Sequence, residues 1–222
     1  MEAAERDVLA AGAAALGISL GSGQLDSLQR LLDELSAANA QFNLTAIRDR
    51  DGMVHKHLLD SLTVQPYLRG TRVADVGTGA GFPGLPLAVA NPERRFVLIE
   101  ATGKKARFVA QTADRIGCAN AQVVNGRAEG YRPFELFDTV ISRALSSLAD
   151  FIAYAGHLCE EEGRMLAMKG RRPDEEIKGL PKAFRVLAVH RVAVPGLDDE
   201  RHVVELSPAG PGSAMRPKAS YR

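Results

Sequence analysis

The segment Val73-Ala-Asp-Val-Gly-Thr-Gly-Ala-Gly-Phe-Pro-Gly84 constrains this chain more than any other. A short β-branched run flows into glycines at 77, 79 and 81, and Pro83 marks the start of a helix. Glycine lets the backbone turn tightly and lets a ligand approach bare peptide. The helix that follows opens with free N–H groups. Such a strand–loop–helix unit needs a parallel sheet around it, and the chain supplies one. Phe96-Val-Leu-Ile99, Ala121-Gln-Val-Val124 and Phe137-Asp-Thr-Val-Ile141 are further short apolar runs. Segments compatible with helix, over 83–90, 103–116 and 147–156, lie between or after them. Strands alternating with helices predict an α/β fold, its sheet covered on both faces. Arg164-Met-Leu-Ala-Met168 continues the series, and residues 184–194 and 202–206 face each other across Pro195-Gly-Leu-Asp-Asp199. That end reads as a closing antiparallel hairpin on a mostly parallel sheet.

The first third has a different character. Leu25, Leu28, Leu31, Leu32 and Leu35 recur at helical spacing, behind an Ala-rich helix over residues 3–16 that stops near Gly17. Met53, Val54, Leu58, Leu59, Leu62 and Val64 predict another helix, ended by Pro66. The leucine stripe is too short for a coiled coil and reads as core. The organisation is therefore a helical cap over 1–52, an α/β body over 53–208 and a basic, loose tail over 209–222.

Composition bounds the function. The 28 Lys+Arg against 27 Asp+Glu give a net charge of +1, which argues against a broad electrostatic clamp on nucleic acid. That average divides into −4 over 1–52, with 8 acids and 4 bases, and +2 over 53–208. The remainder is +3, from Arg216, Lys218 and Arg222 in the tail. No apolar run approaches the ~18–20 residues of a membrane span, and Glu2, Glu5, Arg6 and Asp7 interrupt any signal-peptide core. Cys118 and Cys159 form neither a disulfide framework nor a zinc site, and both read as small buried residues. His55 and His57 lack the further ligands a zinc site needs, so no metal is expected. A cytoplasmic monomer is the default expectation.

Two nucleotide readings of the loop compete. Gly79, Gly81 and Gly84 satisfy G-x-G-x-x-G, with Glu100 about 20 residues on, as in dinucleotide sites. Alternatively, Asp75-x-Gly77-x-Gly79-x-Gly81 resembles motif I of the class I S-adenosylmethionine-dependent methyltransferases. Asp75 repels a pyrophosphate but suits a zwitterionic methionine moiety carrying a sulfonium. Glu100, ending the second strand, can accept ribose hydroxyls in either case. Arg127-Ala-Glu129 follows the third strand, where such folds meet adenine. A plain glycine-rich turn, an exposed acid at 100 and a surface loop at 127–129 are the structural alternatives.

More than the loop matches. Phe42-Asn-Leu-Thr-Ala-Ile-Arg-Asp49, His57-Leu-Leu-Asp-Ser61, Asp75–Gly84, Gly103-Lys-Lys, Val140-Ile-Ser-Arg-Ala144, Met168-Lys-Gly170 and Leu197-Asp-Asp-Glu-Arg-His202 occur in this order. With them the chain resembles the ribosomal RNA small subunit methyltransferase G family over about residues 20–206. The resemblance implies a Rossmann-like class I methyltransferase fold with an N-terminal helical extension. It also implies transfer of methyl from S-adenosyl-L-methionine to N7 of a guanine in 16S rRNA, within the small subunit or an assembly intermediate. A class I enzyme with another acceptor, an NAD-type dehydrogenase and a non-catalytic RNA-binding module are the competing functions. By resemblance, Gly77 and Phe82 line the methionine side, Ala128 and Glu129 border the adenine, and Arg143 sits where cofactor and base meet. Asp75, Gly79, Gly81 and Glu100 complete the expected cofactor set. Arg143 is the candidate catalytic residue and, with Lys169, the candidate RNA contact. A sheet-edge ion pair for Arg143 and a solvated turn for Lys169 are the plainer readings. The family often has Trp-Asn-Lys before Asn-Leu-Thr, whereas this chain has Ala38-Asn39-Ala40 and no tryptophan. Arg48 is expected to pair with Asp49 or Asp51, Asp60 to cap or pair within the helices, and Glu160-Glu-Glu162 to form a solvated turn.

Overall fold

The computed structural model describes residues 3–143 and 147–210. Ala144 and most of the tail, residues 211–222, lie outside the described residues. Helix α1 (Ala3–Ala15) ends at Gly17, which adopts φ +76, and α2 (Ser22–Phe42) follows. The Gln24 side chain accepts from the Gly21 N–H at 2.8 Å and so caps the start of α2. All five leucines of the stripe are buried. The next helix departs from the expected single run. It starts as α3 (Arg50–Met53), widens into a π-helical stretch (Val54–Leu59) and closes as α4 (Asp60–Leu62). Asp49 caps it by accepting from the Gly52 N–H at 2.6 Å. This is why Arg48 does not pair with Asp49 as expected. Its guanidinium instead donates to Asn43 Oδ1 at 3.4 Å.

Seven strands form one sheet in the order β3-β2-β1-β4-β5-β7-β6. They are β1 (Arg72–Val76), β2 (Arg95–Glu100), β3 (Ala121–Asn125), β4 (Phe137–Arg143), β5 (Cys159–Lys169), β6 (Phe184–Val192) and β7 (Arg201–Pro208). The first five run parallel, while β7 enters antiparallel between β5 and β6. Strand β5 begins earlier than the sequence suggests. Glu160–Glu162 therefore lie in a strand with a register shift against β4, not in a turn. Glu160 finds Arg72 at 3.3 Å.

Helices α5 (Gly84–Ala90) and α6 (Gly103–Arg115) cover one face together with α1, α2 and α4, in one continuous core from Leu9 to Val203. Helix α7 (Leu148–Ala155) covers the other face around Val140, Phe151 and Leu206, and the short α8 (Asp174–Lys178) lies against it. Two polar ties lock α2 down. Gln24 Nε2 donates to the Val89 carbonyl and Ser27 Oγ to the Ile116 carbonyl, each at 2.9 Å. Both cysteines are buried, and burial pushes the thiols up to about 11 for Cys118 and about 12 for Cys159, so neither is an activated nucleophile. Among the described residues no helix is long and apolar enough to cross a membrane.

Candidate active site at the C-terminal edge of the sheet

The chain reverses direction across the sheet between β1 and β4. Open α/β sheets bind ligands at the carboxyl ends of the strands beside such a switch point. The glycine loop lies there. Gly77, Gly79 and Gly81 have φ of +70, +62 and +96, the left-handed region that glycine tolerates. The glycines divide by what surrounds them. A Cβ at Gly77 would meet nothing within 4 Å, and one at Gly79 would meet only the Gly77 carbonyl at 4.0 Å. At Gly81 it would strike Leu85 at 2.6 Å, and at Gly84 it would strike Leu98 at 2.0 Å and Asp75 Oδ2 at 2.7 Å. The first two thus leave an open cradle, and the last two let the loop press onto the helix and sheet.

Asp75 works from beneath this loop. It is fully buried, and its Oδ2 accepts from Thr78 Oγ1 at 2.6 Å and from the Gly84 N–H at 2.8 Å. Burial raises its pKa to about 6, against the pull of these two bonds and of the Arg143 charge. Among the described residues its Oδ1 has no partner. Glu100 braces the loop from β2, accepting from the Gly79 N–H at 2.9 Å and the Thr102 N–H at 2.8 Å. Two lone-pair positions on that carboxylate remain for another donor. Beyond Gly77 a cleft of about 220 Å³ runs along Ile99, Ala128, Glu129 and Tyr154.

A second cleft, of about 390 Å³, is lined by Arg143. Its lining comes from segments far apart in the chain: Ile47, His57, Asp60, Arg143, Lys169 and Arg201 are among them. Asp60 is the hub. Its Oδ1 accepts from Arg201 Nε at 2.9 Å and its Oδ2 from the Arg143 guanidinium at 3.3 Å. Arg143 also donates to the Lys56 carbonyl at 3.2 Å and lies 5.5 Å over the Phe82 ring. Phe82 stacks on His57 with centroids 4.7 Å apart, and the far nitrogen of His57 meets Thr45 Oγ1 at 2.9 Å. Burial, then the nearby Arg143 charge, lowers the His57 pKa to about 4. At neutral pH the imidazole is therefore uncharged. Its Nδ1 has no partner among the described residues. His202 meets the Gly170 carbonyl at 3.0 Å and fixes the turn after β5. Lys169 is not a solvated turn lysine, because its ammonium is held by Glu176 at 2.9 Å.

The structure thus brings Asp75, Gly77, Gly79, Gly81, Phe82, Glu100 and Arg143 to one place, with Ala128 and Glu129 along the adjoining cleft. Sequence reasoning underrated His57, Asp60, Thr45 and Arg201. Their signal lay in the quoted motifs, but only the fold shows that Asp60 binds arginines on β4 and β7. A larger hollow, about 630 Å³, lies at the opposite edge by the strand starts, around Arg95, Asn120 and Phe134. None of the quoted motifs lines it, so size does not identify the site here. Among the described residues no group of three or more His, Cys, Asp and Glu is assembled as a metal site.

A family model described as rRNA small subunit methyltransferase G matches residues 24–204. The chain belongs to this family. A member from Nitrosococcus oceani is 43% identical over 212 residues, covering 96% of this chain and 99% of the relative. One from Pseudomonas aeruginosa is 47% identical over 201 residues, covering 90% and 94%. Among solved structures, a glycopeptide N-methyltransferase complexed with S-adenosyl-L-homocysteine superposes with a TM-score of 0.59 at 11% identity, over 68% of this chain and 87% of that one. An S-adenosylmethionine-dependent methyltransferase from Aquifex aeolicus gives 0.56 at 17% identity, over 74% and 96%. At that identity they speak for the class I methyltransferase fold alone.

Proposed function

We propose that the protein transfers the methyl group of S-adenosyl-L-methionine to N7 of a guanine in 16S rRNA of the small ribosomal subunit. The observation that carries this reading is the convergence of family motifs from residues 47 to 202 on one cleft beside the glycine loop. Two features of the site fit the cofactor. The open cradle at Gly77 and Gly79 admits a ligand against bare backbone. The only two unpaired buried side-chain atoms among the described residues, Asp75 Oδ1 and His57 Nδ1, flank Phe82 and the loop. Buried polar atoms without partners mark places where a ligand or water completes the network.

In this reading Asp75, Gly77, Gly79, Gly81 and Phe82 hold the methionine side, Glu100 the ribose, and Ala128 and Glu129 the adenine. S-adenosylmethionine supplies an electrophilic methyl group on a sulfonium. Guanine N7 has an in-plane lone pair and no proton to lose, so no side chain need act as a base. The neutral, buried His57 is consistent with that economy. What the residues do is position. Arg143, pinned by Asp60 and the Lys56 carbonyl, presents a guanidinium in the larger of the two clefts beside Phe82, where it can stack on or fork to the base. Lys169, paired with Glu176, stands in the cleft wall as the candidate phosphate contact. Residues 53–208 are the methyltransferase body in this division, and residues 1–52 are a helical cap that adds Ile47 to the cleft and Thr45 to His57.

Tritiated methyl transfer into small-subunit RNA, followed by mapping of the modified base, tests the reading. We expect label on a guanine of 16S rRNA. No incorporation into either naked rRNA or 30S particles from a methylation-deficient strain would sink it. Label on a different acceptor would keep the chemistry and replace the substrate.

A further inference from the structure

The rim of the site carries a feature that the methyl-transfer chemistry does not use. Phe42, the last residue of α2, is 42% exposed, although burying a phenylalanine is normally favourable. Lys104, in the first turn of α6, places its ammonium 4.0 Å from the centre of the Phe42 ring. Both residues stand on the functional edge of the sheet. Lys104 follows Glu100 by four positions, just beyond the carboxyl end of β2. Phe42 precedes Asn43-Leu44-Thr45, and Thr45 holds His57 in the wall of the cleft. Ile47, five residues on, lines that cleft itself.

From this placement we infer that Phe42 and Lys104 form a stacking platform for an unpaired nucleobase of the rRNA, outside the catalytic cleft. The inference rests on the proposed RNA substrate. Single-stranded bases bind proteins by stacking on aromatic rings, and a nearby cation meets the adjoining phosphate. A flat ring with a lysine on it and solvent around it offers both. Lys105 and Arg107 add two further cations to the same helix. The site would engage a nucleotide near the target guanine, not the target itself. It would supply affinity to a protein whose net charge of +1 gives no general grip.

The plainer account is that Lys104 on Phe42 is only a surface cation–π pair, stabilising the end of α2. Substitution at an exposed position separates the two. Filter binding to a 16S rRNA transcript, the KM for that RNA in methyl transfer, calorimetry with S-adenosylhomocysteine and Tm are measured together. Phe42→Ala should weaken RNA binding about tenfold, with the KM for RNA rising in parallel. Phe42→Tyr should retain binding and Phe42→Leu should lose it, because stacking needs the ring and not the bulk. Lys104→Gln should lower the salt dependence by about one ion. S-adenosylhomocysteine affinity should stay at the wild-type value in all four. RNA affinity unchanged in Phe42→Ala overturns the inference, as does a loss shared by Tm and cofactor affinity. Phe42→Leu binding like wild type overturns it too. If wild-type protein methylates no RNA, the proposed function itself has failed, and that outcome is read before any variant.

Discussion

At the scale of single residues, the site is built from groups whose surroundings oppose their charge. His57 and Asp75 show this with opposite signs. The His57 pKa falls from 6.5 to about 4, chiefly through burial, so its contribution is present above pH 6.5 and lost as the pH falls through about 4. The Asp75 pKa rises from 3.8 to about 6, also through burial, so its contribution is present below pH 3.8 and lost as the pH rises through about 6. Between pH 4 and 6 the two slopes oppose each other. Each amounts to something on the order of 3 kcal/mol. Urea unfolding at several pH values should therefore find that the stability gap between wild type and His57→Asn grows in favour of wild type with pH. The gap to Asp75→Asn should shrink. Parallel curves for all three proteins would contradict the burial argument. The glycines give a second contrast. Gly84→Ala puts a methyl 2.0 Å from Leu98 and should cost about 1–3 kcal/mol of stability. Gly77→Ala meets open space, so only its left-handed φ is penalised, by about 1–2 kcal/mol. Its methyl enters the cradle, and calorimetry should show S-adenosylhomocysteine affinity falling at least tenfold. The sequence made both glycines legible as parts of a loop. It could not say which faces a ligand and which faces the core, because that depends on what packs behind each one.

At the scale of elements, the strands were the most legible part. The five parallel strands lie where the short apolar runs occur, and the antiparallel pair lies where the sequence predicts a closing hairpin. Their boundaries moved where side chains decide. Strand β5 reaches back to Cys159 through three acids because Arg72 receives Glu160 and because the strand lies against β4. The π-helical stretch at Val54–Leu59 left no mark, since its residues have ordinary helical spacing. Nor did the link from α4 to β4 and β7. The partners of Asp60 lie 83 and 141 positions away. One carboxylate, 6% exposed, holds two guanidiniums there. Asp60→Asn keeps the shape but removes the acid that Arg143 pairs with, while Arg201 keeps only Asp199, at 3.4 Å. We expect stability to fall by about 2–3 kcal/mol. We also expect kcat to fall at least tenfold as Arg143 loses its position. The KM for RNA should stay level or drop, because the mouth gains positive charge. Arg143→Ala should likewise cut transfer more than it cuts S-adenosylhomocysteine binding. A raised KM with unchanged kcat in Asp60→Asn would mean that the pair matters for docking and not for alignment.

At the scale of the molecule, charge and packing divide the chain differently. By charge, residues 1–52 form an acidic unit of −4 on a mildly basic body. By packing there is no seam. Leu9, Leu28, Leu31 and Leu35 belong to the same core as Leu59, Phe96, Leu98, Phe108 and Val203. The periodicity of α2 announced a buried stripe, but not the surface that buries it, and so a cap with a boundary at 52 was the natural reading. A shared core predicts shared unfolding. Leu31, fully buried, should cost about 2–5 kcal/mol when cut to alanine, although it lies in the cap. The lack of tryptophan makes the test clean, because tyrosine emission is then unmasked. Tyr67, Tyr131 and Tyr154 stand on or beside the sheet, whereas far-UV circular dichroism is dominated by helices, α2 being the longest. In wild type and in Leu31→Ala the two signals should change in one coincident urea transition, shifted to lower urea in the variant. If the cap were a separate domain, the helical signal of Leu31→Ala would fall first, while tyrosine emission and S-adenosylhomocysteine binding kept the wild-type midpoint.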